Sequence, residues 1–337
     1  MNILILGANG FIGSNLSEAI LASKTDWQIH AMDLAQDKLE NCLQHPNFHF
    51  HTGDITVDTQ WVTDQIKQAD VVLPLVAIAT PATYVQNPLR VFELDFEANL
   101  DIIKQCVKYK KRIIFPSTSE VYGMCPDEAF DEEESNLVTG PIHKERWIYS
   151  ASKQLLDRVI YAYGKHHQLS YTLFRPFNWF GPRLDNIFNP KPGGSRVLTQ
   201  FIGNILRGED IMLVGGGVQQ RCFMYIDDGV DALIKIIENK DGCANSQIFN
   251  VGNPTENISI RTLAELLKKH IAEYPKYAEM ANKTKLIDVD AEQYYGKGYQ
   301  DVSLRVPSIE RAEKILGWKP DVTFEPGLKK TLDFYLA

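Results

Sequence analysis

Tyr149 and Lys153 are four residues apart in a segment that predicts a helix, so their side chains share one face. An unperturbed tyrosine hydroxyl has a pKa of about 10. A neighbouring ammonium group and a second, bound cation would lower that pKa, so a phenolate becomes available near neutral pH. Thr118 can hydrogen-bond the same substrate hydroxyl. The spacing indicates proton abstraction from an alcohol during its oxidation, with an exposed helical pair as the alternative.

The chain opens with a glycine pattern that suits phosphate binding. Gly7, Gly10 and Gly13 lie between a predicted strand and a predicted helix, where backbone N–H groups and the helix dipole can meet a pyrophosphate. Asp33 ends the next predicted strand, where a carboxylate accepts from ribose hydroxyls and repels a 2′-phosphate. The pattern therefore predicts NAD rather than NADP. Asp54, after a further strand, predicts an adenine contact, with an ordinary loop cap as the alternative.

Apolar strands alternate with amphipathic segments in the first half of the chain, which is typical of a parallel sheet covered on both faces. The predicted fold class is α/β, a doubly wound sheet of the Rossmann type. Ligands bind at the carboxyl ends of such strands, which would gather Ser117–Gly123, Tyr149–Lys153 and Arg175–Arg183. We predict strands at Asn2–Leu6, Gln28–Asp33, Phe48–His51, Val71–Leu75, Arg112–Pro116 and Tyr171–Arg175, and helices at Phe11–Ser23, Arg90–Tyr109 and Ser150–His166.

The pattern loosens after about residue 180. Asp185–Ser195 is rich in Asn, Pro and Gly and predicts a loop. Short strands at Ile211–Val214 and Ile248–Val251 then mix with helices at Asp228–Glu238 and Ser259–His270. We therefore expect residues 1–180 to form a dinucleotide-binding domain, with 226–252 packing back onto it. Residues 181–225 and 253–337 would form a smaller, interleaved lobe that binds the substrate.

The composition of the chain argues against several classes of function. The 337 residues carry a net charge of -8, which argues against broad nucleic-acid or anionic-membrane binding. No basic n-region precedes an apolar run, and no apolar stretch is long enough to predict a membrane span. The five cysteines are scattered without a C-x-x-C pair. We expect reduced thiols in a cytoplasmic protein without a metal site.

Several longer strings resemble a known family. The glycine pattern, the string S-T-S-E-V-Y-G at Ser117–Gly123 and the Y-x-x-x-K pair resemble the extended short-chain dehydrogenase/reductase family of nucleotide-sugar epimerases, dehydratases and decarboxylases. Residues 73–81, 146–149, 175–185 and 294–301 are similar to one subgroup. This is the UDP-glucuronic acid decarboxylase domain of the bifunctional enzyme that makes 4-amino-arabinose precursors for lipid A. The resemblance does not extend to the formyltransferase domain of that enzyme. A stand-alone UDP-4-keto-pentose or UDP-xylose synthase fits the sequence equally well.

The resemblance implies a reaction and roles. Oxidation at C4 of UDP-glucuronic acid places a ketone β to the C6 carboxylate, which then leaves as carbon dioxide. By the resemblance, Glu120 is the proton acceptor and Arg305 the proton donor, and Ser119 can assist protonation. An arginine keeps its proton in water, so binding the substrate carboxylate or polarising a water is physically easier for Arg305. A contact with the diphosphate is the remaining alternative.

Rival activities differ at single positions. Related dehydratases carry an acid where this chain has Ser119, and apiose-forming relatives carry cysteines at Ala79 and Ser119. A UDP-sugar 4-epimerase needs only the Thr, Tyr and Lys, which leaves Glu120 unexplained. A non-catalytic NAD-binding scaffold would have no need of Thr118, Tyr149 and Lys153 together. We therefore keep decarboxylation first, with 4-epimerisation as the alternative enzyme activity.

The resemblance also implies two binding sets and an assembly. The cofactor set is Gly7, Asn9, Gly10, Phe11, Ile12, Gly13, Asp33, Asp54, Ile55, Ala77, Tyr149, Lys153 and Pro176. The UDP-sugar set is Ala79, Tyr84, Thr118, Ser119, Arg146, Asn178, Arg183, Arg196, Met212, Gln219, Arg221, Tyr299 and Arg305. The relative has a lysine where this chain has Met212. Relatives pair into homodimers through a four-helix interface, which predicts a dimer built on Arg90–Tyr109 and Ser150–His166.

Overall fold

The computed structural model describes residues 1–188, 196–290, 293–294, 300, 302 and 305–337. Its strands are β1 (Asn2–Leu6), β2 (Gln28–Asp33), β3 (Phe48–Thr52), β4 (Val71–Pro74), β5 (Arg112–Pro116), β6 (Tyr171–Pro176), β7 (Trp179–Phe180), β8 (Ile211–Val214), β9 (Gln220–Cys222), β10 (Met224–Tyr225), β11 (Gln247–Val251), β12 (Asn257–Ser259) and β13 (Leu286–Val289). Seven of them form one parallel sheet in the order β11-β6-β5-β4-β1-β2-β3. This order confirms the predicted Rossmann-type α/β class.

Helices cover both faces of this sheet. They are α1 (Phe11–Ser23), α2 (Thr59–Gln68), α3 (Pro81–Gln86), α4 (Pro88–Phe92), α5 (Asn99–Tyr109), α6 (Trp147–His167), α7 (Val197–Leu206), α8 (Ile226–Glu238), α9 (Ile260–Ile271), α10 (Ala278–Lys283), α11 (Glu310–Leu316) and α12 (Phe324–Leu336). Alternate residues of β1 enter opposite cores: Ile3 and Ile5 one, Leu4 and Leu6 the other. Both faces of the strand are therefore apolar, as a doubly covered sheet requires.

A second group of elements lies beyond the sheet. Strand β8 pairs in parallel with β13, and β9 pairs antiparallel with β12. Helices α7 and α9 pack against each other and against β8. Strand β11, by contrast, returns to the main sheet beside β6, and α8 packs against α1.

Two helices differ from the sequence prediction. The segment predicted as one helix, Arg90–Tyr109, consists of α4, a π-helical segment Glu93–Ala98 and α5. A π-helical turn holds an extra residue, which an apolar period of 3.6 does not reveal. Helix α6 begins at Trp147 rather than at Ser150, so Tyr149 lies in its first turn. The predicted loop Asp185–Ser195 has no regular element at 185–188, and its remainder lies outside the described residues.

Two further observations concern membrane-spanning helices and metal sites. No helix within the described ranges is long and apolar enough to cross a membrane. The same residues contain no group of three or more His, Cys, Asp and Glu side chains placed to hold a metal ion.

Candidate active site

A cavity of about 500 Å³ lies at the carboxyl ends of the sheet strands and extends toward β8 and α7. It brings together most of the predicted site residues: Gly7, Gly10, Phe11, Ile12, Gly13, Ala77, Ala79, Tyr84, Thr118, Ser119, Glu120, Arg146, Tyr149, Lys153, Pro176, Asn178, Arg196, Met212, Gln219, Arg221 and Arg305. Asn9, Asp33, Asp54, Ile55 and Arg183 do not line it. Tyr299 lies outside the described residues.

The glycine turn at one end of the cavity has no room for side chains. Gly7 adopts φ +89, and a Cβ there would lie 3.0 Å from the backbone of Leu75. A Cβ on Gly13 would lie 2.4 Å from the carbonyl oxygen of Gly7. Within the described structure no side chain caps the first turn of α1, so its N–H groups are available to a ligand. This cradle fits the pyrophosphate of a dinucleotide.

Asp33 is fixed beside the glycine turn. Its carboxylate accepts hydrogen bonds from the backbone N–H groups of Asn9 at 2.8 Å and Leu34 at 2.7 Å. Burial raises the pKa of Asp33 above its ordinary value, although these backbone donors oppose the shift. A carboxylate held in this way has lone pairs left for ribose hydroxyls.

Asp54 and Arg183 have partners that the sequence did not indicate. Asp54 accepts from the N–H of Thr56 at 2.8 Å and from its hydroxyl at 2.7 Å, and these bonds lower its pKa. It therefore stabilises its own turn, as the loop-cap alternative expects, and an adenine contact stays a prediction. Arg183 donates to Asn15 at 3.0 Å and pairs with Glu18, both on α1. The geometry therefore gives no support to a substrate contact for Arg183.

Tyr149 and Lys153 are both buried, Tyr149 at 5% exposure and Lys153 at 1%. The ring of Tyr149 stacks on Tyr84, with centroids 4.6 Å apart, and Thr118 lines the same cavity. Lys153 Nζ donates to the carbonyl of Pro116 at 2.9 Å. These contacts hold a phenol, a hydroxyl and an ammonium group at one wall of the cavity.

The pKa of Tyr149 differs from the expectation that Lys153 lowers it. Burial raises this pKa well above its ordinary value, and the Asp95 carboxylate raises it further. Burial also lowers the pKa of Lys153. A phenolate therefore needs a second positive charge close to Tyr149, which an oxidised nicotinamide ring supplies.

Glu120 lies between two arginines. It follows Thr118, whose hydroxyl accepts from the Glu120 N–H at 3.2 Å. Arg305 donates to one carboxylate oxygen of Glu120 and Arg146 to the other. Burial alone would raise the pKa of Glu120, but the two guanidinium groups lower it to about 2. The group carries two positive charges against one negative charge, so it can receive a further anion.

Arg146 and a third arginine, Arg221, are held by the segment before Arg305. Arg146 donates to the carbonyl of Gln300 at 2.6 Å, and Arg221 donates to that of Val302 at 2.8 Å. The electrostatic field of Arg221 also lowers the pKa of Glu120. Residues far apart in the chain thus concentrate positive charge around one carboxylate.

The part of the cavity lined by α7, β8 and β9 carries residues predicted to bind UDP. Arg196 pairs with Asp185 at 2.9 Å and is 40% exposed, and Asn178 donates to the carbonyl of Cys222 at 3.3 Å. Sequence reasoning missed the apolar wall here: Val197, Leu198, Phe201 and Phe223. Helix α7 supplies most of it. No element was predicted for this segment, although Leu198, Phe201 and Ile205 recur at helical spacing.

A buried polar network supports the catalytic wall. The hydroxyl of Ser117 donates to Asp157 at 2.7 Å, and Arg175 donates to the same oxygen at 3.1 Å. Arg175 also donates to the Tyr122 hydroxyl at 2.8 Å, which donates to Asn250 at 2.8 Å. The network joins β5, β6, α6 and β11. Ser117, Tyr122 and Arg175 belong to strings that the sequence singled out, but the network was not predicted, because its other members, Asp157 and Asn250, carry no motif.

Asn250 extends this network to the segment that carries Arg305. Its side-chain amide donates to the carbonyls of Phe130 at 2.8 Å and Ser308 at 3.1 Å. The N–H of Phe130 in turn donates to the carbonyl of Val306 at 2.8 Å. The position of Arg305 therefore depends on bonds to the main sheet.

Comparisons with known proteins agree with this architecture. A family model described as the NAD dependent epimerase/dehydratase family matches residues 3–252. The PbgP3 protein from Burkholderia pseudomallei is 53% identical with a TM-score of 0.91, covering 99% of this chain and 96% of that chain. UDP-N-acetylglucosamine 4-epimerase from Methanobrevibacter ruminantium M1, in complex with UDP-N-acetylmuramic acid, is 26% identical with a TM-score of 0.82, covering 99% and 97%.

A further solved structure shows the fold alone. UDP-glucuronic acid 4-epimerase from Bacillus cereus, in complex with UDP-glucuronic acid and NAD, is 22% identical with a TM-score of 0.81, covering 99% of this chain and 98% of that chain. The family model, by contrast, spans well over half of the residues and includes the glycine turn, Thr118, Tyr149 and Lys153. On this evidence the chain belongs to the NAD-dependent epimerase/dehydratase family, and its cofactor is NAD.

Proposed function

We propose that the chain catalyses the NAD-dependent oxidative decarboxylation of UDP-glucuronic acid, giving UDP-4-keto-pentose, UDP-xylose or both. The observation that carries the proposal is the group formed by Arg146, Glu120 and Arg305 beside Tyr149. Hydride transfer at C4 without decarboxylation needs only a proton acceptor and a hydrogen-bond donor at one hydroxyl. Two buried arginines around a carboxylate, close to that acceptor, suit a substrate that carries an anionic group on the sugar.

The first step is oxidation at C4. Thr118 and Tyr149 hold the C4 hydroxyl, and the Tyr149 phenolate takes its proton. NAD, when bound, accepts the hydride from C4. The Lys153 ammonium stabilises the phenolate electrostatically. Stacking on Tyr84 fixes the ring that carries the reacting oxygen.

The second step is cleavage of the C5–C6 bond. The electrons of that bond move toward the C4 ketone as carbon dioxide leaves, so the C4 oxygen becomes an enolate. Tyr149, now protonated, and Thr118 donate hydrogen bonds to this oxygen. Arg146 and Arg305 orient the departing carboxylate. A water that Arg305 polarises then gives a proton to C5, with Ser119 assisting, while ionised Glu120 accepts a hydrogen bond from that water. The hydroxide left behind takes up a proton from solvent.

The UDP portion would bind at the far end of the cavity. Asn178, Arg196, Gln219, Arg221 and Tyr299 are the proposed contacts, with Met212 in van der Waals contact. We further propose the division inferred from the sequence, in which 1–180 and 226–252 bind NAD while 181–225 and 253–337 bind the UDP-sugar. The pairing of β11 with β6 supports assigning 226–252 to the first part.

Carbon dioxide release from UDP-glucuronic acid in the presence of NAD tests the proposal. We expect stoichiometric release that requires both compounds. Inversion at C4 of UDP-glucuronic acid or UDP-glucose without carbon dioxide would overturn decarboxylation in favour of 4-epimerisation. Tight NAD binding without turnover of any UDP-sugar would instead favour a scaffold.

The product is identified by a second measurement in the same assay. NADH accumulated per carbon dioxide released should be close to one if the ketone leaves. It should be close to zero if hydride returns and UDP-xylose forms.

A further inference from the structure

One buried carboxylate beside the cavity has no place in the reaction as described so far. Asp95 is 0% exposed and lies in the π-helical segment Glu93–Ala98. One of its oxygens, Oδ1, accepts from the N–H of Ile78 at 2.7 Å. The other, Oδ2, accepts no hydrogen bond within the described part of the chain. A buried carboxylate with an unused oxygen is costly.

The π-helical segment packs against α6, which carries the catalytic pair. Asp95 acts electrostatically on Lys153 and Tyr149 of α6 and on Tyr84 of α3. Asp157, also on α6, is the other carboxylate that acts on Lys153. Asp157 is already bonded to Arg175 and Ser117, whereas Asp95 has no arginine partner among the described contacts.

Lys153 needs an anionic neighbour because it is almost completely buried. A buried ammonium group tends to lose its proton unless an opposite charge compensates for the lost hydration. The face of Phe115, 4.7 Å from Lys153 Nζ, contributes part of that compensation. The carbonyl of Pro116, 2.9 Å from Nζ, contributes another part, and the carboxylates of Asp95 and Asp157 supply the negative charge.

We propose that Asp95 is a positioning residue for the oxidation, whose carboxylate keeps Lys153 in the ammonium form and anchors residues 77–79 through the Ile78 N–H. This inference rests on the proposed function for the identity of the reaction, but not for the charge state of Lys153. Ala77 and Ala79 line the cavity on either side of Ile78. Asp95 thus connects the catalytic pair to residues 77–79 of the cavity lining.

The shifts in pKa agree in direction with this geometry. Burial raises the pKa of Asp95 to about 6, and Lys153 opposes that rise. Burial lowers the pKa of Lys153, and Asp95 opposes that fall. Asp95 also raises the pKa of Tyr149. Removing the charge of Asp95 should therefore lower the pKa of both Lys153 and Tyr149.

The variant Asp95→Asn tests the proposal, because its amide oxygen can still accept from Ile78 while its charge is gone. NMR titration of isotopically labelled lysine side chains in the full-length protein measures Lys153, which Lys153→Met assigns. We expect the pKa of Lys153 to fall by about one unit or more in Asp95→Asn. Asp101→Asn, an exposed change on the following helix α5, should leave it unchanged.

The pH profile of substrate oxidation provides a second readout. Because both pKa values fall, the whole profile of Asp95→Asn should move to lower pH by about one unit. A rate that falls equally at every pH, with an unchanged Lys153 titration, would show a merely structural role and overturn the proposal. If the parent protein does not turn over UDP-glucuronic acid, the proposed function fails, and the Lys153 titration still decides the role of Asp95.

A reciprocal measurement applies if Asp95→Asn does not fold. In Lys153→Met the cation is absent, so the carboxyl of Asp95 should titrate at higher pH than in the parent. Labelled aspartate carboxyl carbons report this by NMR. An unchanged Asp95 titration in Lys153→Met would overturn the proposal.

Discussion

At the scale of single residues, Glu120 shows how the site combines an energetic cost with a chemical use. Removing a carboxylate and two guanidinium groups from water costs several kcal/mol for each ion, and their attraction offsets this only with good geometry. Here each carboxylate oxygen has its own arginine. Such a group is poor evidence for added stability, but it holds concentrated charge ready for an anionic substrate.

The variant Glu120→Gln should expose this balance as a change in stability with pH. The pKa of Glu120 falls from an ordinary 4.5 to about 2 in the folded state. Ionised Glu120 therefore stabilises the fold fully above the unfolded value, and that stabilisation is lost as pH falls toward about 2. At about pH 7, Glu120→Gln should unfold with a free energy lower by on the order of 3 kcal/mol.

Urea unfolding of both proteins at about pH 7 and about pH 3.5 measures this difference. The difference should shrink at the lower pH, because the Glu120 carboxyl of the unfolded parent, with its ordinary pKa of 4.5, takes up a proton there, whereas the folded one, at about 2, stays mostly ionised. Glu145→Gln, an exposed neighbour of Arg146, is the control and should show little difference at either pH. A difference that stays constant with pH would contradict the assigned charge state of Glu120.

The hydroxyl of Tyr149 gives the second prediction at this scale. Tyr149→Phe keeps the ring that stacks on Tyr84 but removes the group that accepts the C4 proton. NAD binding should be retained, and NADH formation with UDP-glucuronic acid should fall by roughly 10²–10⁴-fold. Tyr161→Phe, which removes an exposed hydroxyl from the same helix, should oxidise substrate like the parent. Oxidation by Tyr149→Phe at the parent rate would refute the assignment.

At the scale of elements, strands and helices were predicted to different extents from the pattern of apolar residues. Strands such as Asn2–Leu6 and Arg112–Pro116 are continuous apolar runs, and the structure has them at the predicted bounds. Helix α7 was not predicted, although Leu198, Phe201 and Ile205 recur at helical spacing, because it is short and directly follows the Asn-, Pro- and Gly-rich residues 185–195. The π-helical segment was missed because Arg90–Tyr109 was interpreted with one helical period of 3.6 throughout, and π-helical turns are rare.

That missed segment carries Asp95, so the sequence could not connect this residue to the catalytic pair. A regular helix from Arg90 to Tyr109 gives no reason to place one particular carboxylate against α6. Glu120, by contrast, was singled out because it directly follows Thr118 and Ser119 in a recognisable string. A motif in the chain marks the residues that touch substrate better than those that act through another side chain.

Asn250 on β11 gives a prediction at the scale of elements. Its side chain bonds to the Tyr122 hydroxyl and to the carbonyls of Phe130 and Ser308. Asn250→Ala leaves these buried groups without that partner and should lower the free energy of unfolding by about 3 kcal/mol. Turnover should fall more than UDP binding, because the segment carrying Arg305 loses an anchor.

Chemical unfolding and steady-state kinetics check this pair of effects. Asn245→Ala is the matched control, because Asn245 is an exposed residue in the loop before the same strand. It should change neither quantity appreciably. An Asn250→Ala protein with parent stability and turnover would show that the network does not support Arg305.

At the scale of the whole molecule, the site exists because the topology brings distant segments together. Arg305 and Glu120 are 185 residues apart in the chain yet form an ion pair. Apolar periods cannot reveal such a pair, and its two members were named from family resemblance. The Rossmann-type sheet supplies one wall, because the carboxyl ends of its parallel strands meet at one edge.

The homodimer expected from the resemblance gives the prediction for the assembly. Ala151, Leu155 and Ala162 are exposed on α6 at spacings of four and seven residues, so they share one face of the helix. Leu155 is 49% exposed and Leu89, at the start of α4, is 71% exposed. Scattered exposed apolar residues are ordinary, but Ala151, Leu155 and Ala162 lie on a helix that the resemblance assigns to the interface, and Leu89 immediately precedes the other.

Leu155→Glu should convert the dimer to a monomer, as measured by sedimentation at fixed protein concentration. A two-fold interface places the substitution on both subunits, so two carboxylates would be buried against an apolar face without partners. Val218→Glu is the matched control, because Val218 is 75% exposed but follows β8, outside the two helices. Loss of the dimer in Leu155→Glu with an unchanged circular dichroism spectrum would support the interface. A parent protein that sediments as a monomer, or a Leu155→Glu protein that remains dimeric, would place the contact elsewhere or exclude it.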